Sequence, residues 1–194
     1  MRKYCIFSIF LFFISASSIF AQVPQSAGFY LAKEYNKEQA LYKAKKFVME
    51  DILGTSTELT RFKIDPLASA SSGELTSLVY QSDEKNKTGL ILGFYGDYWN
   101  DAGVVYTGYA FKNLNEQEAI ELLNLLERVY EQESKYLNSD NDNNNVFIDF
   151  QDMTFLFYKS SGFRMRVFWN GFDSDWESVA FERTKRRFEK KTGN

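Results

Sequence analysis

Two carboxylates sit one residue apart in the stretch Trp169-Asn170-Gly171-Phe172-Asp173-Ser174-Asp175-Trp176-Glu177. Asp173 and Asp175, flanked by the flat rings of Trp169 and Trp176, have the residue types for acid/base work on a sugar. One carboxyl would protonate the leaving oxygen, the other would act as base or nucleophile, and an aromatic face would stack on the ring. The same residues also suit a turn and helix cap, with Ser174 or Asp175 accepting from the first free N–H groups of a following helix. The cap is the expected role.

A second constellation carries Tyr95, Tyr98, Trp99 and Asp101, with Tyr106 and Tyr109 just beyond. Large aromatics around a turn leave apolar area in water unless something covers them, and aromatics are enriched at recognition surfaces. Tyr95, Tyr98, Trp99, Asp101, Tyr106, Trp169, Asp173, Asp175 and Trp176 therefore form the predicted ligand-binding set, and no catalytic residue is assigned. Asp140, Asp142 and Asn144 place oxygen atoms at alternate positions, like the start of a calcium loop. Asn145 and Gln151 stand where that loop requires glycine and glutamate. The run predicts a solvated connection and no metal site.

The missing side chains narrow the chemistry further. The chain has no histidine, so Ser-His and Cys-His pairs, an imidazole base and the commonest zinc and copper sites are all excluded. The single cysteine, Cys5, falls in the N-terminal segment. That segment begins Met1-Arg2-Lys3, continues through an apolar run from Cys5 to Ile14, and reaches Ala21-Gln22 after small residues. This is the order of a secretory signal, with cleavage expected after Ala21. An uncleaved anchor is the other reading, but the run is shorter than the roughly 20 residues a bilayer span requires.

Cleavage would leave a chain with no cysteine, no disulfide and no transmembrane span. Loss of Arg2 and Lys3 takes the formal net charge from −3 to −5, the wrong sign for a general nucleic-acid binder. No cofactor is expected.

The elements that position these residues follow from periodicity. Residues 22–35 lack a period and read as a lead-in, and 36–194 read as a single domain. Asn36 and Gln39 have capping-box spacing, and Leu41, Ala44, Phe47, Val48 and Ile52 recur at helical intervals, predicting a helix over 37–53 that ends at Gly54. A short strand over 60–64 ends at Pro66, and 67–73 read as a loop. Strands are predicted at 75–81, 89–95 and 103–111. Asn115 and Glu118 then open a long helix to Leu137. Further strands follow at 146–150, 153–159 and 162–169, a turn at 170–175, and a helix beginning near Trp176 or Ser178. The six basic residues from Arg183 to Lys191 suit the C-terminal end of that helix.

The order α-βββ-α-βββ-α predicts an α+β fold, an antiparallel meander sheet with helices packed on one face. The expected function is an exported, periplasmic or secreted, non-catalytic binding or chaperone-like domain. Its partner would be an envelope protein, peptide, lipid or glycan. The alternative is a carboxylate-dependent hydrolase acting on glycans.

Overall fold

Alternation decides the architecture. In the strand Leu75–Ser82, Leu75, Ser77 and Val79 point to one side and Leu78 and Tyr80 to the other, and all five are buried. A strand buried on both faces has to lie inside a layered structure.

The computed structural model describes residues 40–193 except 55, 100, 101, 140–142 and 161, and of Trp99 and Tyr106 only the backbone. Its first helix, α1, covers 40–53 and ends in a π-helical turn, Val48–Leu53, which the chain leaves through Gly54 at φ 78°. Four strands follow: β1 (Lys63–Ser69), β2 (Leu75–Ser82), β3 (Lys87–Trp99) and β4 (Val105–Asn115). Helix α2 (Glu116–Leu137) leads to β5 (Asn145–Phe150), β6 (Met153–Lys159), β7 (Phe163–Trp169) and β8 (Phe172–Glu177), and α3 (Ser178–Thr192) closes the chain. The strands form two four-stranded antiparallel meanders, β1-β2-β3-β4 and β5-β6-β7-β8. This is the expected α+β fold, with one strand more in each meander.

The main core lies between the sheets. Leu90, Leu92, Phe94 and Leu114 of the first sheet meet Leu122, Leu123 and Leu126 of α2, Phe155, Phe157 and Val167 of the second sheet, and Phe188 of α3. A smaller core on the other side of the first sheet sets Ala44, Val48 and Ile52 of α1 against Leu78, Tyr80 and Ile91. Helices α2 and α3 thus share one face as expected. Helix α1 lies opposite, because the first sheet is apolar on both sides.

Helix α2 starts at the expected capping box: the Glu118 N–H donates to Asn115 Oδ1 at 3.0 Å, and the Asn115 N–H donates to Glu118 Oε2 at 2.9 Å. Two free backbone donors are satisfied at once. Helix α3 is held to β1 and β2 by polar groups as well as by Phe188. Thr184 bonds Ser77 at 2.6 Å in the core, Lys191 pairs with Asp65 at 2.7 Å, and the Arg187 guanidinium donates to the Leu67 carbonyl. Among the described residues no helix is long and apolar enough to cross a membrane.

Two segments differ from the sequence expectation. β1 runs through Pro66 to Ser69, with its register shifting between Pro66 and Ala68. An edge strand tolerates a proline, whose missing N–H is needed only on a paired side. Residues 172–177, expected to be turn and helix cap, are strand β8. Phe172, Ser174 and Trp176 are buried and alternate with Asp173, Asp175 and Glu177. The turn before them shrinks to Asn170 and Gly171, at φ 49° and 78°. Two successive left-handed residues are what a two-residue hairpin turn requires. The expected leader, the lead-in and the Asn36–Gln39 cap lie outside the described residues.

Gly89 tests the packing of β3. A Cβ there would lie 2.3 Å from the Leu114 carbonyl oxygen and 2.6 Å from the Tyr80 hydroxyl. Gly89→Ala is expected to cost about 1–3 kcal/mol, and Asn115→Ala about 1 kcal/mol. Urea unfolding measures both, and a Gly89→Ala protein as stable as the parent would refute the close approach.

Candidate functional site

The aromatic hairpin is divided between two faces by strand alternation. Tyr95 of β3 stacks on Tyr109 of β4 with ring centres 4.5 Å apart, and the Lys43 ammonium of α1 lies 4.4 Å from the centre of the Tyr109 ring. Burial, and then the neighbouring Tyr95, push the Tyr109 phenol above its ordinary pKa. Tyr98 belongs to the opposite face, where its ring lies 5.0 Å from Phe172. Trp99 pairs with Val105 and Tyr106 with Tyr98 along the ribbon backbone. Asp101 lies outside the described residues.

Phe172 brings the two predicted regions together. Phe94 of β3 lies 5.0 Å from Trp169 and 6.1 Å from Phe172, so Tyr98, Phe172, Phe94 and Trp169 form one aromatic junction. Trp169 donates its indole N–H to Asp152 Oδ2 at 2.8 Å, and Lys112 of β4 reaches Asp152 Oδ1 at 2.5 Å. Trp176 sits in the core, 1 % exposed and edge-on to Phe181 at 5.6 Å. It anchors β8 under α3.

Asp173 and Asp175 fall on the outer face of the second sheet. Each is bonded to an arginine of β7: Asp173 to Arg166, and Asp175 to Arg164 at 2.6 Å. The Arg166 guanidinium is held above its ordinary pKa, chiefly by Asp173. Glu177 lies 3.9 Å from Arg164 and accepts from the Ser71 N–H at 2.9 Å, while the Asp175 N–H donates to Glu74 at 3.1 Å. Asp175 Oδ1 is buried without a hydrogen-bond partner. The two aspartates are neighbours on one strand and point the same way. A general acid and its partner have to flank the scissile bond.

The outer face as a whole was not read from the sequence. Three register rows cross it: Asn145, Tyr158, Arg164 and Glu177; Phe147, Leu156, Arg166 and Asp175; Asp149, Thr154, Phe168 and Asp173. Phe147 is 67 % exposed and Phe168 37 %, with Leu156 and Tyr158 half-buried between the edges. Period-2 alternation in 145–150, 153–159 and 163–169 was the available signal. Val146, Ile148, Met153, Phe155, Met165 and Val167 turn inward, and their alternates turn out.

Only part of the acidic run after α2 is described. Asp140 and Asp142 lie outside the described residues, and the Asn144 amide donates to the Tyr136 carbonyl at 2.8 Å. Among the described residues no group of three or more acidic side chains is placed to hold a metal ion. No protein-family model, curated protein or solved structure matches the chain.

Asp152 gives the junction a pH signature. The Lys112 hydrogen bond, then that from Trp169, lowers the Asp152 pKa below the ordinary aspartate value. Its contribution to stability is therefore present above the unfolded value, about 3.9, and lost as pH falls through the lower folded value. The carboxylate is 61 % exposed, so solvent keeps that contribution small. In an NMR titration Asp152 should titrate below a free aspartate, and Lys112→Met should move its midpoint back up. A parent midpoint at or above about 4 would rule out the contact.

Proposed function

We propose that the protein is an exported, non-catalytic binding domain that holds an extended peptide segment on the outer face of β5–β8. The observation that carries this reading is the exposure of Phe147 and Phe168 on one sheet face, with Leu156 and Thr154 of β6 between them and Tyr158, Arg164 and Arg166 alongside. Exposed aromatic area grouped with guanidinium groups is the composition of a recognition surface. A flat face suits an extended chain better than a small molecule, which binds in a concave site.

The chemistry favours a peptide among extended ligands. A lipid chain offers no partner to the Arg–Asp ladder, and a neutral glycan would leave its charges unused. A peptide carries side chains for both the aromatic and the charged halves. Export rests on the order of residues 1–22: basic start, apolar run, small residues and Ala21-Gln22.

Native mass spectrometry of the chain from its own cells, followed by sequencing of what co-purifies, tests the reading. A heterogeneous set of bound peptides is expected. The double substitution Phe147→Ser/Phe168→Ser should cut their occupancy at least tenfold, the loss of about 1.4 kcal/mol or more, while stability changes little because both rings are exposed. Unchanged occupancy in the double variant, or a chain that carries no peptide, would overturn it.

A further inference from the structure

The two sheets have four edges, and three are blunted by identifiable devices. β1 carries Pro66 and a register shift, and the Arg187 guanidinium takes the Leu67 carbonyl. β8 is tied to the first sheet through Glu74, which accepts from the Asp175 N–H. β5 is only six residues long and includes Asp149. Short edges, prolines, bulges and charges are the ways sheets avoid pairing with another chain. Among the described residues, β4 has none of them. It is eleven residues long, without proline or bulge, and its one charged side chain, Lys112, is bonded to Asp152.

The direction of its backbone can be read from the ladder. The Tyr95 N–H donates to the Glu74 carbonyl at 2.8 Å, extending the β2–β3 ladder one residue beyond the Leu75–Phe94 pair. Tyr95 therefore turns its main-chain groups to β2, and Phe94 turns its own to Ala110 of β4. Even-numbered residues of β4 bond to β3. The backbone groups of Val105, Thr107, Phe111 and Asn113 point away from the sheet. The Asn115 N–H, bonded to Glu118 instead, agrees with this parity.

We infer that β4 is the pairing edge for a second copy of this chain, joined antiparallel across a two-fold axis into a continuous eight-stranded sheet. An antiparallel edge is self-complementary under a two-fold. The side chains on the outward-bonding positions Val105, Thr107, Phe111 and Asn113 are all uncharged, and any two-fold centred from Gly108 to Ala110 sets Lys112 against an uncharged residue. No like charges on the two strands themselves oppose pairing. Val104 and Val105, 47 % and 44 % exposed, add apolar area at one end of the strand. This surface belongs to the first sheet and is independent of the peptide-binding face.

Size-exclusion chromatography with light scattering on the full chain, as its cells process it, should give twice the chain mass at micromolar concentration. Thr107→Pro removes an N–H that points outward, so it leaves the β3 ladder intact and should give a monomer with unchanged circular dichroism. A parent that stays monomeric, or a folded Thr107→Pro protein that stays dimeric, overturns the inference. If the variant does not fold, hydrogen exchange on the parent decides. The Val105, Thr107, Phe111 and Asn113 amides should exchange at least tenfold faster on dilution below the dimer range, and rates independent of concentration overturn it.

Discussion

Phe94 is fully buried between Trp169 and Phe172, and the join between the sheets depends on this contact because no backbone ladder crosses it. A meander closes its hydrogen bonds within itself, so two meanders can associate only through side chains. Aromatic rings suit that role, since each buries a large area in one directed contact. Phe94 sits where β2 stops pairing with β3, and this leaves the far end of β3 and β4 as a two-stranded ribbon. The β7–β8 turn closes over that point. Tyr98 on Phe172 then fastens the ribbon from the inner side, and Lys112 and Trp169 both bond Asp152.

This join gives the two sheets different surfaces. The first is apolar on both faces, so α1 has to cover the side that α2, α3 and the second sheet leave open. The second sheet is apolar on one face only, and no helix of the described residues contributes to a core on its other side. Its outer residues are then free to be chosen for something other than packing. The same meander thus serves as scaffold in one half of the chain and presents an open surface in the other.

Most of the fold was legible in the sequence. The Asn115–Glu118 box and the Leu122, Leu123 and Leu126 stripe gave α2 to its last residue, and β-branched and aromatic alternation gave most strands to within a few residues. The failures share a cause: residue type outweighed period. Asp173, Ser174 and Asp175 are turn formers on their own account, which hid the alternation of Phe172, Ser174 and Trp176 and the hairpin turn of Asn170-Gly171. Pro66 was read as a stop when an edge strand accepts it. The candidate site was less legible. Composition groups Tyr95, Tyr98, Trp169 and Trp176, but register assigns them to different places: a stack under α1, the sheet junction and the core. Phe147 and Phe168 were hidden because they are far apart in sequence and share a face only through β6, which lies between their strands.

The Arg–carboxylate ladder on β7 and β8 separates stability from recognition. Arg166 and Asp173 are 36 % and 52 % exposed, and exposed pairs of this kind contribute about 0–1 kcal/mol. The Arg164–Asp175 pair is deeper, at 34 % and 14 %, and leaves Asp175 Oδ1 buried without a partner, which costs about 1–3 kcal/mol. A pair whose unmet oxygen offsets what its bond contributes is a poor device for holding β7 to β8, which their ladder already joins. Threonines and valines would hold those strands better. On the proposed reading, two guanidinium groups fixed by carboxylates on an open face beside exposed phenylalanines are pre-oriented donors that would meet a partner with little side-chain entropy left to lose. The proposal thus accounts for a ladder that strand pairing alone does not require.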